Sequence, residues 1–340
     1  MTALLEARNV TKVFGSGGLF KRKETVALEN VTLLIRGSQP SITGVVGESG
    51  SGKTTLVRLL LGLLSPTEGE VLYKGRDLQK MSRDERLEFQ REVQVIFQDP
   101  FEVYNPFYKV DHVLTTPVTK FHLARSKSEA QELIEHALEM IGLRPEETLG
   151  RYPHQMSGGQ RQRVMVARAS LLRPRIILAD EPVSMVDASL RATILESLRK
   201  LSQEFGTSLL YITHDVTTAY QVSDSIIVIY QGSVVETGDA ELVIKNPQHP
   251  YTRLLVASIP LSDPDRKWVQ DETFVVDQTS IKVEHGCKFV NRCPFAMSVC
   301  HKNLPPFFQT DRHRVARCYL YKDGPKIPSF EIGNVFVKKE

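Results

Sequence analysis

The chain has 340 residues, 41% hydrophobic and 24% charged, with 43 Lys and Arg against 40 Asp and Glu for a formal net charge of +3. At about 150 residues per domain this length allows two domains, and the composition excludes a disordered chain, a collagen-like fibre and a disulfide-dense mini-protein. So small a net charge does not by itself imply a nucleic-acid partner; the one compositional oddity is that all four cysteines fall between Cys287 and Cys318.

No run approaches the roughly 18 apolar residues of a membrane span. The best, residues 56–64, is broken by Arg58 and Gly62. The N-terminus, MTALLEARNV, has no apolar signal-peptide core. A reducing cytoplasm is therefore the expected compartment, where a disulfide framework is improbable.

In chain order, residues 3–14 and 26–35 alternate apolar and polar as half-buried strands do. Residues 41–46 (SITGVV) read as a short buried strand that runs into a Gly-rich turn and a helix over 54–64. Residues 70–73, the pair Lys74-Gly75 and Arg76 onward predict a hairpin, and 93–97 another strand. From about 100 to 170 the pattern turns helical: Ala130, Leu133, Ile134, Ala137, Leu138 and Ile141 share helical spacing, and Ser128 with Gln131 resembles a capping box. Strands return at 176–179 and 209–213, and 225–230, Gln231-Gly232 and 233–236 predict a closing hairpin. Alternating strands and helices imply a largely parallel sheet with an antiparallel edge. After about 245, Pro247, Pro250, Pro260 and Pro264 mark a connector to a small appended module.

Gly47-Glu48-Ser49-Gly50-Ser51-Gly52-Lys53-Thr54 fits G-x-x-x-x-G-K-S/T between a strand and a helix. Glycines let backbone N–H groups curl around phosphate oxygens, and the helix start aims its positive dipole end at them. Lys53 is expected to bridge the β- and γ-phosphates and Thr54 to ligate Mg²⁺, with Thr55 also at the nucleotide. Asp180-Glu181 follows an apolar strand. There Asp180 can reach the Mg²⁺ shell and Glu181 can polarise a water for attack on the γ-phosphate.

Met156-Ser157-Gly158-Gly159-Gln160 then opens a helix, with Ser157 as an N-cap and two glycines exposing N–H groups. Here the chain resembles the ATP-binding cassette (ABC) ATPases, with Met156 where their signature motif has Leu. The resemblance implies an α/β P-loop NTPase fold with a RecA-like core, an antiparallel β subdomain and a helical subdomain. It implies that the signature faces the γ-phosphate on a partner's phosphate loop, so two cassettes sandwich ATP. In the same order Gln98 resembles the Q-loop glutamine, touching Mg²⁺ and the attacking water. Ser184-Met185-Val186-Asp187 resembles the D-loop, with Met185 and Val186 as departures. His214 resembles the switch histidine at the γ-phosphate, and Phe14 sits where an aromatic residue stacks on adenine. Glu181, His214 and Gln98 are the implied catalytic set, and Thr54, Gln98 and Asp180 the implied Mg²⁺ set.

Residues 246–252 (NPQHPYT) and the cysteine tail resemble dipeptide and oligopeptide importer ATPases, and the insertion at 17–23 looks like the F-type subunit. The expected domains are a nucleotide-binding domain over 1–245 and a C-terminal module over 246–340. The cysteine spacings do not match a C-x₂-C zinc pair. The subfamily resemblance implies that Cys287, Cys293, Cys300 and Cys318 hold a 4Fe–4S cluster; structural Zn²⁺ and free buried thiols are the rivals. Asn291-Arg292, Arg312, Arg314 and Arg317 are expected to surround the cysteines with positive charge. The implied function is ATP hydrolysis that powers import of a peptide-like or oligosaccharide solute. The implied partners are a second, D-type ATPase, two membrane-spanning subunits and an external binding protein, with no nucleic acid. The implied location is the cytoplasmic face of the membrane. The alternatives are a soluble ABC ATPase acting on nucleic acid or ribosomes, and a non-hydrolysing nucleotide-binding module.

Overall fold

A computed structural model of the chain describes residues 3–16, 23–37, 39–99, 103–259 and 286–334. The insertion at 17–22, Pro100, Pro260, Pro264 and the basic C-terminal end lie outside the described residues. The first elements are β1 (Ala3–Ser16), β2 (Lys23–Arg36), β3 (Ile42–Val46), α1 (Lys53–Leu60), β4 (Glu68–Tyr73), β5 (Arg76–Asp77), α2 (Arg83–Glu92) and β6 (Val93–Ile96). Next come α3 (Asp111–Lys120), α4 (Lys127–Met140), α5 (Pro145–Thr148), α6 (Gly158–Ser170), β7 (Ile176–Asp180), α7 (Ala188–Phe205) and β8 (Ser208–Thr213). The chain continues through α8 (Val216–Val222), β9 (Ser225–Tyr230), β10 (Ser233–Asp239), α9 (Ala240–Lys245) and α10 (Pro250–Ala257), then α11 (Ser298–Lys302), β11 (Phe307–Asp311), β12 (Arg314–Ala316) and β13 (Lys326–Ile327).

These elements form two compact units. The first comprises residues 2–35, 43–79 and 214–340. In it β2, β1, β4 and β5 make a four-stranded sheet, β1 antiparallel to β4 and β4 to β5. Beside it β3 runs parallel to β9, and β9 antiparallel to β10. The C-terminal strands extend this layer: β10 pairs antiparallel with β12, β12 with β11, and β11 with β13. Val45, Val46, Ile226, Val228 and Ile229 are fully buried, as the unbroken apolar runs of a covered sheet require.

The second unit, residues 36–42 and 80–213, carries the parallel strands β6, β7 and β8 in that order. Ile176 to Ala179 are wholly buried. Around them stand the helices foreseen between 100 and 170, with Leu114, Ile134, Leu138, Val164 and Val166 turned inward. Two local readings change. The N-cap of α4 is Ser126, whose Oγ accepts from Glu129 N–H at 3.1 Å, while Glu129 Oε2 accepts from Arg125 N–H; Ser128 lies inside the helix. Helix α1 ends at Leu60, four residues before the expected stop. No helix among the described residues is long and apolar enough to cross a membrane.

Candidate active site

The phosphate loop leaves β3 at Gly47 and enters α1 at Lys53. Its glycines are required by close approach: a Cβ on Gly47 would sit 2.2 Å from the Ile229 carbonyl oxygen. Gly52, at φ +104°, would place one 2.4 Å from that of Ala27. Gly52 caps α1 without a side-chain hydrogen bond, and the first turn carries no acidic residue. The helix start therefore offers backbone N–H groups to an anion. Lys53 is only 6% exposed, and its Nζ donates to Gly47 O at 2.7 Å and Glu48 O at 3.0 Å. Ser51 is anchored by its backbone, donating to Glu48 O and accepting from Gly232 N–H at 2.9 Å. Thr54 is exposed and Thr55 half-buried. In the same unit Phe14 is 40% exposed near the end of β1, with Lys12 Nζ 5.2 Å from its ring centre. His214 is exposed, just before Asp215, which caps α8 by accepting from Thr217 and Thr218 N–H.

In the other unit, Asp180 ends β7 and is buried. Glu181 turns the chain at φ +46°, a left-handed backbone costly for a residue with a Cβ and characteristic of functional corners. Its N–H donates to Ile212 O, and Ser184 Oγ donates to its carbonyl oxygen. Gln98 Nε2 donates to Glu181 Oε2 at 3.0 Å, so two of the expected catalytic residues meet across 83 positions of sequence. The signature segment is tied to the same corner. Gln162 of α6 donates to Phe97 O, beside Gln98, and Tyr104 donates to Arg161 O at 2.9 Å. Burial pushes the Tyr104 hydroxyl up, so it stays a donor. Ser157 caps α6 through a full capping box with Gln160. Gly158 and Gly159 face residues 185–190: a Cβ on Gly158 would lie 3.2 Å from Met185 O, and one on Gly159 2.9 Å from Leu190 Cδ1 of α7 and 3.3 Å from Val186 Cγ1. Asp187 precedes α7 without a side-chain cap.

These motifs fall along one matched chain. Residues 28–184 match the family described as ABC transporter, and residues 235–300 match the C-terminal region of oligopeptide/dipeptide transporters. The oligopeptide transport ATP-binding protein AppF of Bacillus subtilis is 37% identical over 94% of this chain and 97% of its own length. The oligopeptide transport ATP-binding protein OppF of Escherichia coli is 38% identical over 86% of this chain and 88% of its own. The chain belongs to the ATP-binding proteins of oligopeptide/dipeptide ABC transporters. A post-hydrolysis dimer of an ATP-binding cassette with bound ADP and phosphate aligns at TM-score 0.61 and 31% identity, over 69% of this chain and 98% of that one. The fold is thus the ABC cassette, and a nucleic-acid or ribosomal ATPase is not favoured. Mg²⁺ is expected for an ABC ATPase, and within the second unit Asp180 and Gln98 carry oxygen donors of the kind it takes, a carboxylate and an amide oxygen whose nitrogen is committed to Glu181; the Thr54 hydroxyl is such a donor in the first unit.

The cysteine tail departs from expectation. All four cysteines are free. Cys287 N–H donates to Cys300 O at 2.7 Å. Burial, with some help from neighbouring thiols, pushes Cys287 up to about 11 and Cys318 up to about 12. Yet among the described residues no group of three or more His, Cys, Asp or Glu is placed to hold a metal ion. A 4Fe–4S cluster or Zn²⁺ is therefore not supported.

Of the arginines expected around the thiols, two have other partners. Arg314 donates to Leu242 O and Asn246 O, and Arg292 turns onto Glu48 of the phosphate loop. Among these arginines, Arg317 does lie near Cys287, over the Phe307 ring. Sequence reading placed Arg292 with the cysteines because they are neighbours in the chain; its partner lies 244 positions away, beyond any local signal.

Proposed function

We propose that this chain binds and hydrolyses ATP to power import of short peptides across the cytoplasmic membrane. The observation that carries the reading is the Gln98–Glu181 hydrogen bond on a left-handed corner directly after buried Asp180. Lys53 and the N–H groups at the start of α1 bind the β- and γ-phosphates, and Phe14 stacks on adenine. Glu181 takes a proton from water as the water oxygen attacks the γ-phosphorus. The bond to the β–γ bridging oxygen breaks, and ADP and phosphate leave. Gln98 orients Glu181 and that water, and His214 donates to the γ-phosphate. Mg²⁺, held by Thr54, Asp180 and Gln98, would neutralise phosphate charge.

Ser157, Gly158, Gly159, Gln160 and Asp187 serve the nucleotide on a second cassette, a D-type homologue. Residues 1–245 form the nucleotide-binding domain and 246–340 the transporter-type tail. Two membrane-spanning subunits and an external binding protein complete the assembly, with this chain on the cytoplasmic face. The peptide cargo is supported by the relatives, which are described as oligopeptide transport proteins. In the reconstituted complex, binding protein loaded with peptide should raise ATP turnover above that with empty or oligosaccharide-loaded protein. Equal turnover in all three would refute the cargo.

A further inference from the structure

The C-terminal tail reaches the phosphate loop. Arg292, at the end of a 3-10 turn (Val290–Arg292), makes a two-pronged ion pair with Glu48, the second residue of the loop: Nη1–Oε2 and Nη2–Oε1 are both 3.1 Å. The guanidinium is held from below. Its carbon lies 5.8 Å from the Tyr230 ring centre and 5.5 Å from that of Phe289. Nη1 also donates to Tyr230 Oη. Fork-to-carboxylate geometry stacked on aromatic rings is the arrangement in which arginine gives orientation as well as charge.

A second tie grips the same residue. The Glu48 N–H donates to Tyr251 Oη at 2.8 Å. Tyr251 is fully buried and packs on Tyr230 and Phe289, with ring centres 4.4 and 5.6 Å away. Its segment is pinned in turn: Glu236 of β10 accepts from His249 N–H at 2.8 Å and from Gln248 N–H at 3.0 Å. Lys288, four residues before Arg292, pairs with Glu29 of β2 at 2.7 Å. Side chain and backbone of Glu48 are both fixed from beyond residue 245, and the Glu48 carbonyl is one of the two that hold Lys53 Nζ.

We infer that Arg292 and Tyr251 are positioning residues for ATP binding: through Glu48 they fix the first half of the phosphate loop and the lie of Lys53. This rests on the reading of residues 47–54 as the ATP site. A loop fixed in its binding shape loses less freedom when the phosphates arrive, so the latch acts on affinity and not on the chemical step.

The test uses the full-length chain, a methylanthraniloyl-ATP probe with Mg²⁺, and steady-state turnover in the reconstituted complex. Arg292→Gln and Glu48→Gln should each raise the probe Kd and the KM about fivefold, the scale of a half-buried charge-assisted pair. For Arg292→Gln, turnover at saturating ATP should change less than twofold. The double variant should be no weaker than either single one, because both remove the same contact. Arg292→Lys, a point charge without the fork, should recover only part of the affinity. A Kd within twofold of wild type in Arg292→Gln, or additive losses in the double variant, would overturn the latch. Should Arg292→Gln fail to fold, Glu48→Gln cuts the same link from the loop side. Lys53→Ala keeps the two readings apart: if it binds the probe normally, the ATP site itself is misassigned, whereas its loss beside an unaffected Arg292→Gln would sink the latch alone.

Discussion

Two helices in this molecule begin at glycine-rich turns, and they are built differently. At α1 the cap is Gly52 in a left-handed conformation, with no side-chain bond to the first turn. At α6 the cap is Ser157, and a capping box with Gln160 satisfies its donors from within the chain. The loop at α1 is boxed in by main-chain atoms, since Gly47 and Gly52 face the carbonyls of Ile229 and Ala27. At α6, Gly159 faces side chains, the end of half-buried Leu190 and buried Val186. The first start is a rigid cradle that leaves its N–H groups to a ligand. The second is closed on itself and backed by side chains, as the role proposed for it opposite a second cassette's nucleotide requires.

The contrast predicts unequal tolerance of one methyl group. Gly52→Ala puts a Cβ into a backbone carbonyl at a φ that side chains rarely adopt. It should cost about 3 kcal/mol or more in urea unfolding and abolish probe binding. Gly159→Ala meets side chains only, the tip of Leu190 at 2.9 Å and Val186 Cγ1 at 3.3 Å, and gains helix propensity, so its loss of stability should stay below about 2 kcal/mol. If both variants lose the same stability, the two starts are not built on different principles.

Much of the architecture was legible because it rests on short-range patterns. The apolar runs at 176–179 and 209–213 are β7 and β8, and the turns at Lys74-Gly75 and Gln231-Gly232 join the strands they were read to join. Helix α2 is hard to read from sequence because, with Phe89 its one buried residue, it has almost no apolar periodicity; its signal is Ser82 with Glu85, a complete capping box. The α4 cap was misplaced because serines at 126 and 128 each have a plausible partner three residues on, and only the backbone conformation selects Ser126. The tail strands are short, and β12 pairs with β10 across 76 to 80 positions of sequence, from Gly238↔Arg314 to Glu236↔Ala316. Motif order singles out Gln98 and Glu181 separately and the fold brings them into contact, whereas Arg292–Glu48 belongs to no motif and is visible only in three dimensions.

If Glu181 carries the chemistry and the phosphate loop the binding, Glu181→Gln separates the two when ATP binding and single-turnover hydrolysis are measured together on the chain assembled with its partner subunits. Removing a general base costs about 10²- to 10⁴-fold, so hydrolysis should fall by at least about 100-fold while ATP affinity stays close to wild type. Hydrolysis at the wild-type rate in that variant would contradict the account.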